Sequence, residues 1–185
     1  MTRTSPAAEA RAIPPPEPPP WLSQDAIATA GRLIEGHRLA FGRPLLAGVS
    51  AGLSPLQAAQ ELFVAATVVL AHDGGADPRL IYANRAALVL WRRPWGAMVG
   101  LPSRLTAEPA ERQSRALALE RARRVEALEG YGGIRIDSGG RRFRIENARL
   151  WTLRDRGGQP CGQAAAFGRW WWLEPPRSGS PPPLA

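Results

Sequence analysis

The sequence predicts an α+β fold: a five-stranded antiparallel sheet with helices on one face, preceded by N-terminal helices. Three observations predict it. The stretch from Leu70 to Leu88 has the order strand, turn, strand, helix. Helical periodicity dominates the middle of the chain, and alternating apolar residues after Gly133 indicate three more strands. With 185 residues the chain is long enough for one domain with a core, and two compact domains are not expected.

Proline-rich segments bound the predicted domain. Residues 1–20 hold seven prolines and residues 174–185 hold five. Such segments bury too little apolar area to fold, and they favour extended polyproline II conformations. We therefore expect disordered tails at 1–20 and 174–185 and a folded domain at 21–173.

Two helices open the domain. The first is predicted over residues 23–41, with Ser23 as its N-cap, and the glycine-containing segment 48–52 breaks it. Ser54 is the N-cap of a second helix with proline at its first position. This helix is predicted to merge with the first strand near Val68.

A hairpin and a third helix follow. Strands are predicted at 68–70 and 80–82, separated by the turn signals of residues 73–78. Asn84 stands where the next helix, 84–91, needs an N-cap.

The middle of the chain is predicted to be mostly helical. A short helical turn ends at Gly100, residues 101–105 form an extended connector, and a long helix spans 110–128. The pairs Glu111–Arg115 and Glu120–Arg124 have the favourable i,i+4 order. The expected buried stripe of this helix is Leu117, Ala118, Ala122, Val125 and Leu128.

The last third predicts three antiparallel strands. Ile134 and Ile136 share one face of the first, and residues 138–140 form a hairpin turn. The next strand, 141–153, has four large apolar residues in odd register: Phe143, Ile145, Trp151 and Leu153. The last, 161–167, has small side chains, which leave room for a ligand or a close neighbour. Residues 170–172 are three tryptophans, and at least one is expected to be exposed.

Composition narrows the function classes. The net charge is +8, and all 24 basic residues are arginine. A nucleic-acid surface is one reading, but the arginines are dispersed among glutamates, so we favour a compositional bias of the source genome. The longest apolar run, residues 62–71, is about half of the roughly 20 residues that a membrane helix needs. No secretory signal is evident and Cys161 is the single cysteine, so we expect a cytoplasmic protein.

The chain carries few groups for chemistry. His37 and His72 are its two histidines, and with one cysteine no spacing supports a zinc site. His72-Asp73 suggests a base and its orienter, but no nucleophile stands in a motif beside them, and a turn-capping role is favoured. We interpret Cys161 as a buried structural thiol, with redox sensing as the alternative.

The element order resembles the PAS fold, and the motifs resemble the MEKHLA domain, a PAS-like module. The resemblance spans nearly all of residues 21–172. The motifs that carry it are His72 with Asp77-Pro78, Tyr82–Leu88, Leu101–Pro109, Tyr131–Arg135, Gly140–Phe143, Trp151–Asp155 and Cys161–Ala165.

The resemblance implies a sensory or interaction role and a cavity between sheet and helices. The candidate cavity residues are Tyr82, Asn84, Leu88, Trp91, Arg104, Ile134, Phe143, Ile145, Trp151, Cys161 and Gln163. Residues 84–100 contain no cysteine or histidine, which argues against both a flavin–thiol photocycle and an axial haem ligand on that helix. No cofactor is named by the sequence.

Three functional hypotheses follow. The first is a stand-alone module, not an enzyme, that binds a small-molecule ligand or a protein partner, with homodimerisation as one form of the latter. The second is nucleic-acid binding through clustered arginines, which we do not favour. The third is an enzyme with His72-Asp73 as an acid–base pair, which requires both side chains to face a pocket.

Overall fold

The computed structural model describes residues 18–46 and 52–173. Predictions for residues 1–17, 47–51 and 174–185, which include most of the two proline-rich tails, lie outside the described residues. The α-helices are α1 (Gln24–Phe41), α2 (Pro55–Val64), α3 (Arg85–Trp91), α4 (Trp95–Met98) and α5 (Arg112–Val125). The strands are β1 (Val68–Asp73), β2 (Leu80–Ala83), β3 (Ala127–Ile136), β4 (Arg142–Arg154), β5 (Pro160–Phe167) and β6 (Arg169–Trp172). Short 3-10 helices span Pro20–Leu22, Ser103–Thr106 and Pro109–Glu111.

Side-chain caps fix where three helices begin. The Ser23 hydroxyl accepts a hydrogen bond from the Ala26 backbone N–H at the start of α1. Ser54 and Gln57 form a reciprocal capping box at α2. Asn84 caps α3. All three starts agree with the sequence-based predictions.

All strand pairs are antiparallel, and the order along the sheet is β2-β1-β5-β4-β3. The predicted class, a mixed fold of helices and an antiparallel sheet, is confirmed. The structure adds a sixth strand. After a bend at Gly168, β6 pairs with residues 143–146 of β4, whereas β5 pairs with residues 149–154. The sheet edge at β6 therefore carries the three tryptophans.

Helices cover both faces of the sheet, rather than one. On the outer face, α1 and α2 bury a core that includes Leu33, Leu62 and Trp151. On the inner face, α3 and α4 cover a second core that includes Trp91 and Phe143. The helices expected simply to precede the sheet thus form a full layer.

A bulge in β4 explains why one strand serves both cores. Asn147 has φ +52°, and the pairing of β3 with β4 slips by one residue beside it. Phe143 and Ile145 face the inner core, but Trp151 and Leu153 face the outer one. The prediction that these four share a face is wrong because one extra residue inverts the period of two.

The segment before β3 also differs from prediction. Residues 103–106 form a 3-10 helix rather than an extended connector, and α5 ends at Val125. Glu126, with φ +61°, turns the chain directly into β3. The predicted apolar stripe of α5 is wrong in part. Ala122 is buried, but Leu117 and Val125 are exposed, because Arg115 and Leu119 line the inner cavity instead.

Candidate functional site

A small cavity of about 40 Å³ lies between the inner face of the sheet and the helices α3 and α5. Its apolar wall includes Leu70, Leu80, Trp91, Ile145 and Phe167. Its polar lining is Arg115, Arg135, Gln163, His72, Thr106 and Tyr131. A space of this size holds a few water-sized groups, whereas drug-sized ligands occupy roughly 300 Å³ or more.

Gln163 is the most buried polar group on the sheet side of the cavity. It lies on β5 and is 2% exposed. Its Nε2 donates a hydrogen bond to the Leu119 carbonyl of α5 at 3.0 Å. Its Oε1 is buried without a hydrogen-bond partner among the described residues. Because a buried acceptor without a donor is costly, this oxygen is a candidate contact for a bound molecule.

Two arginines reach the cavity from different elements. Arg135 of β3 is 4% exposed, and its guanidinium donates to the Ile134 carbonyl at 2.8 Å and to the Tyr131 hydroxyl at 2.7 Å. Arg115 of α5 is half-buried, and burial followed by the charge of Arg135 lowers the pKa of Arg115 to about 10. Arg115 therefore remains charged at neutral pH.

Trp91 connects the cavity to the helices around it. Its indole N–H donates to the Thr106 carbonyl at 3.3 Å, which fixes the ring. The ring stands edge-on to Phe143, with centroids 5.1 Å apart. Phe143 in turn packs against Trp172 of β6, at 5.5 Å. An aromatic series thus runs from the cavity wall to the edge of the sheet.

The geometry of His72 and Asp73 does not form an acid–base pair. His72 is buried and lines the cavity, and its Nδ1 contacts the backbone carbonyl of Asp73 at 2.7 Å. The Asp73 carboxylate instead accepts hydrogen bonds from the backbone N–H groups of Gly75 and Arg79. It caps the β1–β2 turn, as the turn-capping interpretation predicts.

Three of the eleven candidate cavity residues, Trp91, Ile145 and Gln163, line this cavity. Leu88 and Phe143 pack in the inner core without lining it. Ile134 is half-buried, and Arg135 occupies the inward position of β3 instead. The expectation that the isoleucines of this strand mark the inward face is therefore not met.

Asn84 is buried but does not line the cavity, and its side chain instead connects neighbouring elements by hydrogen bonds. Its Oδ1 accepts from the backbone N–H groups of Val69 and Ala87, at 3.0 and 3.2 Å. Its Nδ2 lies 2.7 Å from the Thr67 carbonyl and also approaches those of Leu62 and Ala65. One side chain therefore joins α2, β1 and α3.

The other four candidates lie away from the cavity. Tyr82, Trp151 and Cys161 belong to the outer core or pack against it, below α1 and α2. The Cys161 sulfur lies 3.8 Å from the Arg32 guanidinium. Arg104 is exposed and forms a two-point ion pair with Asp77, at 2.9 and 3.0 Å.

Sequence reasoning missed Arg115 and Arg135. The period of α5 offers a signal, because positions 115, 119 and 122 share one face of a helix. Arg115 was instead assigned to a surface ion pair with Glu111, which does not form among the described residues, whereas the Glu120–Arg124 pair does, at 3.3 Å. Arg135 lies between Ile134 and Ile136, so the alternation of apolar residues predicted that the isoleucines, and not Arg135, face the cavity.

The described residues contain neither a metal-binding cluster nor a membrane-spanning helix. Within 18–46 and 52–173 no group of three or more histidine, cysteine or carboxylate side chains is arranged to hold a metal ion. In the same ranges, no helix has the length and apolar character needed to cross a membrane.

Comparison with solved structures places the fold in the PAS class. The chain is similar to the PAS domain of a protein from Colwellia psychrerythraea, with a TM-score of 0.54 and 14% identity, over 60% of this chain and 91% of that one. It is also similar to an RNA-binding light-oxygen-voltage receptor, with a TM-score of 0.52 and 19% identity, over 67% of this chain and 35% of that one. At these identities the likeness shows the fold alone.

The family is shown by sequence. The model of the MEKHLA domain matches residues 27–172, and the chain belongs to that family. No curated protein matches the chain. The family and the fold together define a MEKHLA domain with a PAS-like fold.

Proposed function

We propose that the chain is a cytoplasmic PAS-like sensory module, not an enzyme, that binds a small molecule in the cavity between the inner sheet face and α3 and α5. The observation that carries the proposal is the lining itself. Polar groups of Arg115, Arg135 and Gln163 converge on a space that Leu70, Ile145 and their neighbours otherwise make apolar. An apolar pocket with a few convergent polar groups is the usual form of a ligand site.

Filling the cavity tests this proposal. Ala148 is buried and lines the cavity, so Ala148→Leu places extra carbon atoms in the ligand's space. Ala116→Leu on the exposed side of α5 is the matched control. Native mass spectrometry of the full chain should detect a bound small molecule in the unmodified protein and in A116L, but not in A148L.

Loss of ligand binding can be distinguished from loss of folding if the larger side chain in A148L disturbs the structure. Circular dichroism identifies an unfolded A148L, and Ala165→Val, a smaller change in the same lining, then replaces it. Equal ligand occupancy in the cavity variant and the control, or an empty unmodified protein to which no small molecule binds in a titration, would contradict the proposal.

A second candidate function, self-association, is favoured by an apolar groove at the β6 edge. The groove is lined by residues of α2, α3 and β6, and Val64, Val89 and Trp170 are exposed there. Among the described residues, β6 pairs only with β4, so its outer edge is open. Two copies meeting edge to edge would form a self-complementary interface, so we propose a second copy of this chain as the occupant.

We do not propose nucleic-acid binding. The ion pairs of the described residues each join an arginine to a carboxylate, and they are spread over α1, α5, the strands β3, β4 and β6 and the connecting segments. This pattern supports a mixed-charge surface rather than a basic stripe. A mobility shift with a short RNA or DNA at low salt that weakens steeply as salt is added would reverse this view.

A further inference from the structure

Arg115 and Arg135 place two positive charges on one cavity, and no described carboxylate forms an ion pair with either. Both line the same space of about 40 Å³, and Arg135 is 4% exposed. Among the described residues, no carboxylate forms an ion pair with either guanidinium. Arg115 also has no hydrogen-bond partner there, whereas the partners of Arg135 are a neutral hydroxyl and a carbonyl.

Two like charges in such a place are unfavourable. Removing a charge from water is costly unless an opposite charge and hydrogen bonds compensate it. The pKa of Arg115, lowered to about 10 by burial and by Arg135, records that cost, yet the group stays protonated at pH 7. Arg115 does not relieve the repulsion by losing its proton, and a bound anion would offset both charges.

In the part of the chain that the structure describes, the nearby carboxylates do not pair with these guanidiniums. Glu111 approaches Gly133, the residue beside which the Arg135 guanidinium also lies, but no ion pair joins them. Asp137, two residues after Arg135, pairs with Arg92 at 3.8 Å instead. The guanidinium faces therefore remain available to a bound molecule.

We propose that the cavity binds a small hydroxycarboxylate, with its carboxylate on Arg115 and Arg135 and its hydroxyl donating to Gln163 Oε1. Guanidinium groups bind planar carboxylates through two parallel hydrogen bonds. Gln163 needs a donor, because its Oε1 is buried without a partner and its Nε2 is held by Leu119. The size of the cavity limits the ligand to a few heavy atoms, and its apolar wall accommodates a short carbon chain.

Titration of the full chain with matched probes tests the chemistry. Sodium lactate, sodium propionate and neutral lactamide are compared by calorimetry at constant ionic strength. We expect lactate to bind about tenfold or more tightly than lactamide, because the amide removes the charge-assisted bonds. Propionate, which lacks the hydroxyl, should bind more weakly than lactate. Equal affinity for lactate and lactamide would overturn the anion site, and equal affinity for lactate and propionate would overturn the Gln163 contact.

Arginine variants locate the binding. Arg115→Gln should weaken lactate binding by about tenfold or more. Arg124→Gln is the matched control, because Arg124 lies on the same helix with its side chain 77% exposed. Arg115 is only half-buried, so its variant tests the site even if Arg135→Gln fails to fold. Equal lactate affinity in R115Q and R124Q would place any binding outside this cavity.

This inference rests on the proposed ligand-binding function, but the two can fail separately. If a neutral molecule binds the unmodified protein and not A148L, while lactate binds neither, the sensory proposal stands and the anion site is wrong. If no probe distinguishes A148L from the unmodified protein, both are wrong.

Discussion

Two tyrosines, one buried and one half-buried, show how a hydrogen-bond partner decides whether a tyrosine hydroxyl stabilises the fold. These are the only two in the sequence, Tyr82 and Tyr131. The Tyr82 hydroxyl is buried with no partner among the described residues, and burial raises its pKa. The Tyr131 hydroxyl accepts a hydrogen bond from Arg135. A tyrosine hydroxyl is therefore expected to lower the stability of the fold at position 82 and to raise it at position 131.

Replacing each tyrosine by phenylalanine tests that contrast. Tyr82→Phe should raise the free energy of unfolding by about 1 kcal/mol, because it removes an unsatisfied hydroxyl from the core. Tyr131→Phe should lower it by about 2 kcal/mol, because Arg135 loses an acceptor. Urea unfolding of the two variants gives the comparison. A loss of stability in Y82F as large as that in Y131F would contradict it.

His37 makes stability depend on pH. It is fully buried between Phe41 and Trp151, its Nδ1 contacts the Arg43 carbonyl at 3.1 Å, and its Nε2 contacts the Arg149 guanidinium at 2.6 Å. Burial, and then the charge of Arg149, lower its pKa from 6.5 to about 4. The unfolded chain thus takes up a proton at a pH where the folded protein does not.

The sign of the pH effect follows from that difference. The stabilising contribution of neutral His37 is complete above pH 6.5 and is lost as the pH falls from 6.5 towards 4, by at most about 3 kcal/mol. Thermal unfolding between pH 7 and 4.5 should show a smaller decline in His37→Gln than in the unmodified protein. Parallel pH profiles for the two would refute the assignment.

At the scale of elements, the bulge in β4 can be tested at one position. Asn147 is exposed and has φ +52°, a conformation that glycine and asparagine adopt at less cost than other residues. Asn147→Gly should change stability by less than about 1 kcal/mol, whereas Asn147→Val should lower it by about 2 kcal/mol. Arg144, exposed on the same strand with ordinary extended backbone, is the control site for a valine substitution. A neutral N147V would contradict the argument.

The individual elements show which parts of the fold can be predicted from the sequence. Helix starts were predicted correctly because Ser23, Ser54 and Asn84 act within a few residues of themselves. The bulge at Asn147 was not predicted, because no residue type requires it and a single inserted residue reverses every later assignment of faces. The inward position of Arg135 was missed because the alternation of apolar residues along β3 does not reveal that its guanidinium is held by the Tyr131 hydroxyl and the Ile134 carbonyl.

At the scale of the whole molecule, the groove beside β6 predicts the oligomeric state. Val89→Glu places a charge in the groove, at a residue that is 69% exposed in the single chain and so is not needed for its core. Val125→Glu on α5, also exposed and outside the groove, is the matched control. Light scattering should find a dimer in the unmodified protein and V125E and a monomer in V89E. A monomer in all three would exclude self-association.

The candidate site, like the fold, could be predicted from the sequence only in part. The resemblance predicted a cavity in the correct layer, and Trp91, Ile145 and Gln163 line it. Arg115 and Arg135 could not be assigned from sequence patterns, because those patterns place charged residues in water by default. Such patterns therefore favour apolar cavity residues and overlook the charged ones that would select a ligand.

The contribution of β4 to both cores has a consequence for how the protein opens locally. Because β4 contributes Phe143 to one layer and Trp151 to the other, opening of either layer removes packing from this one strand. Separation of the N-terminal helices would expose the same strand that forms the wall of the cavity. Backbone amides of β4 on both sides of Asn147 should therefore exchange their hydrogens with solvent through one shared opening event, with one common free energy.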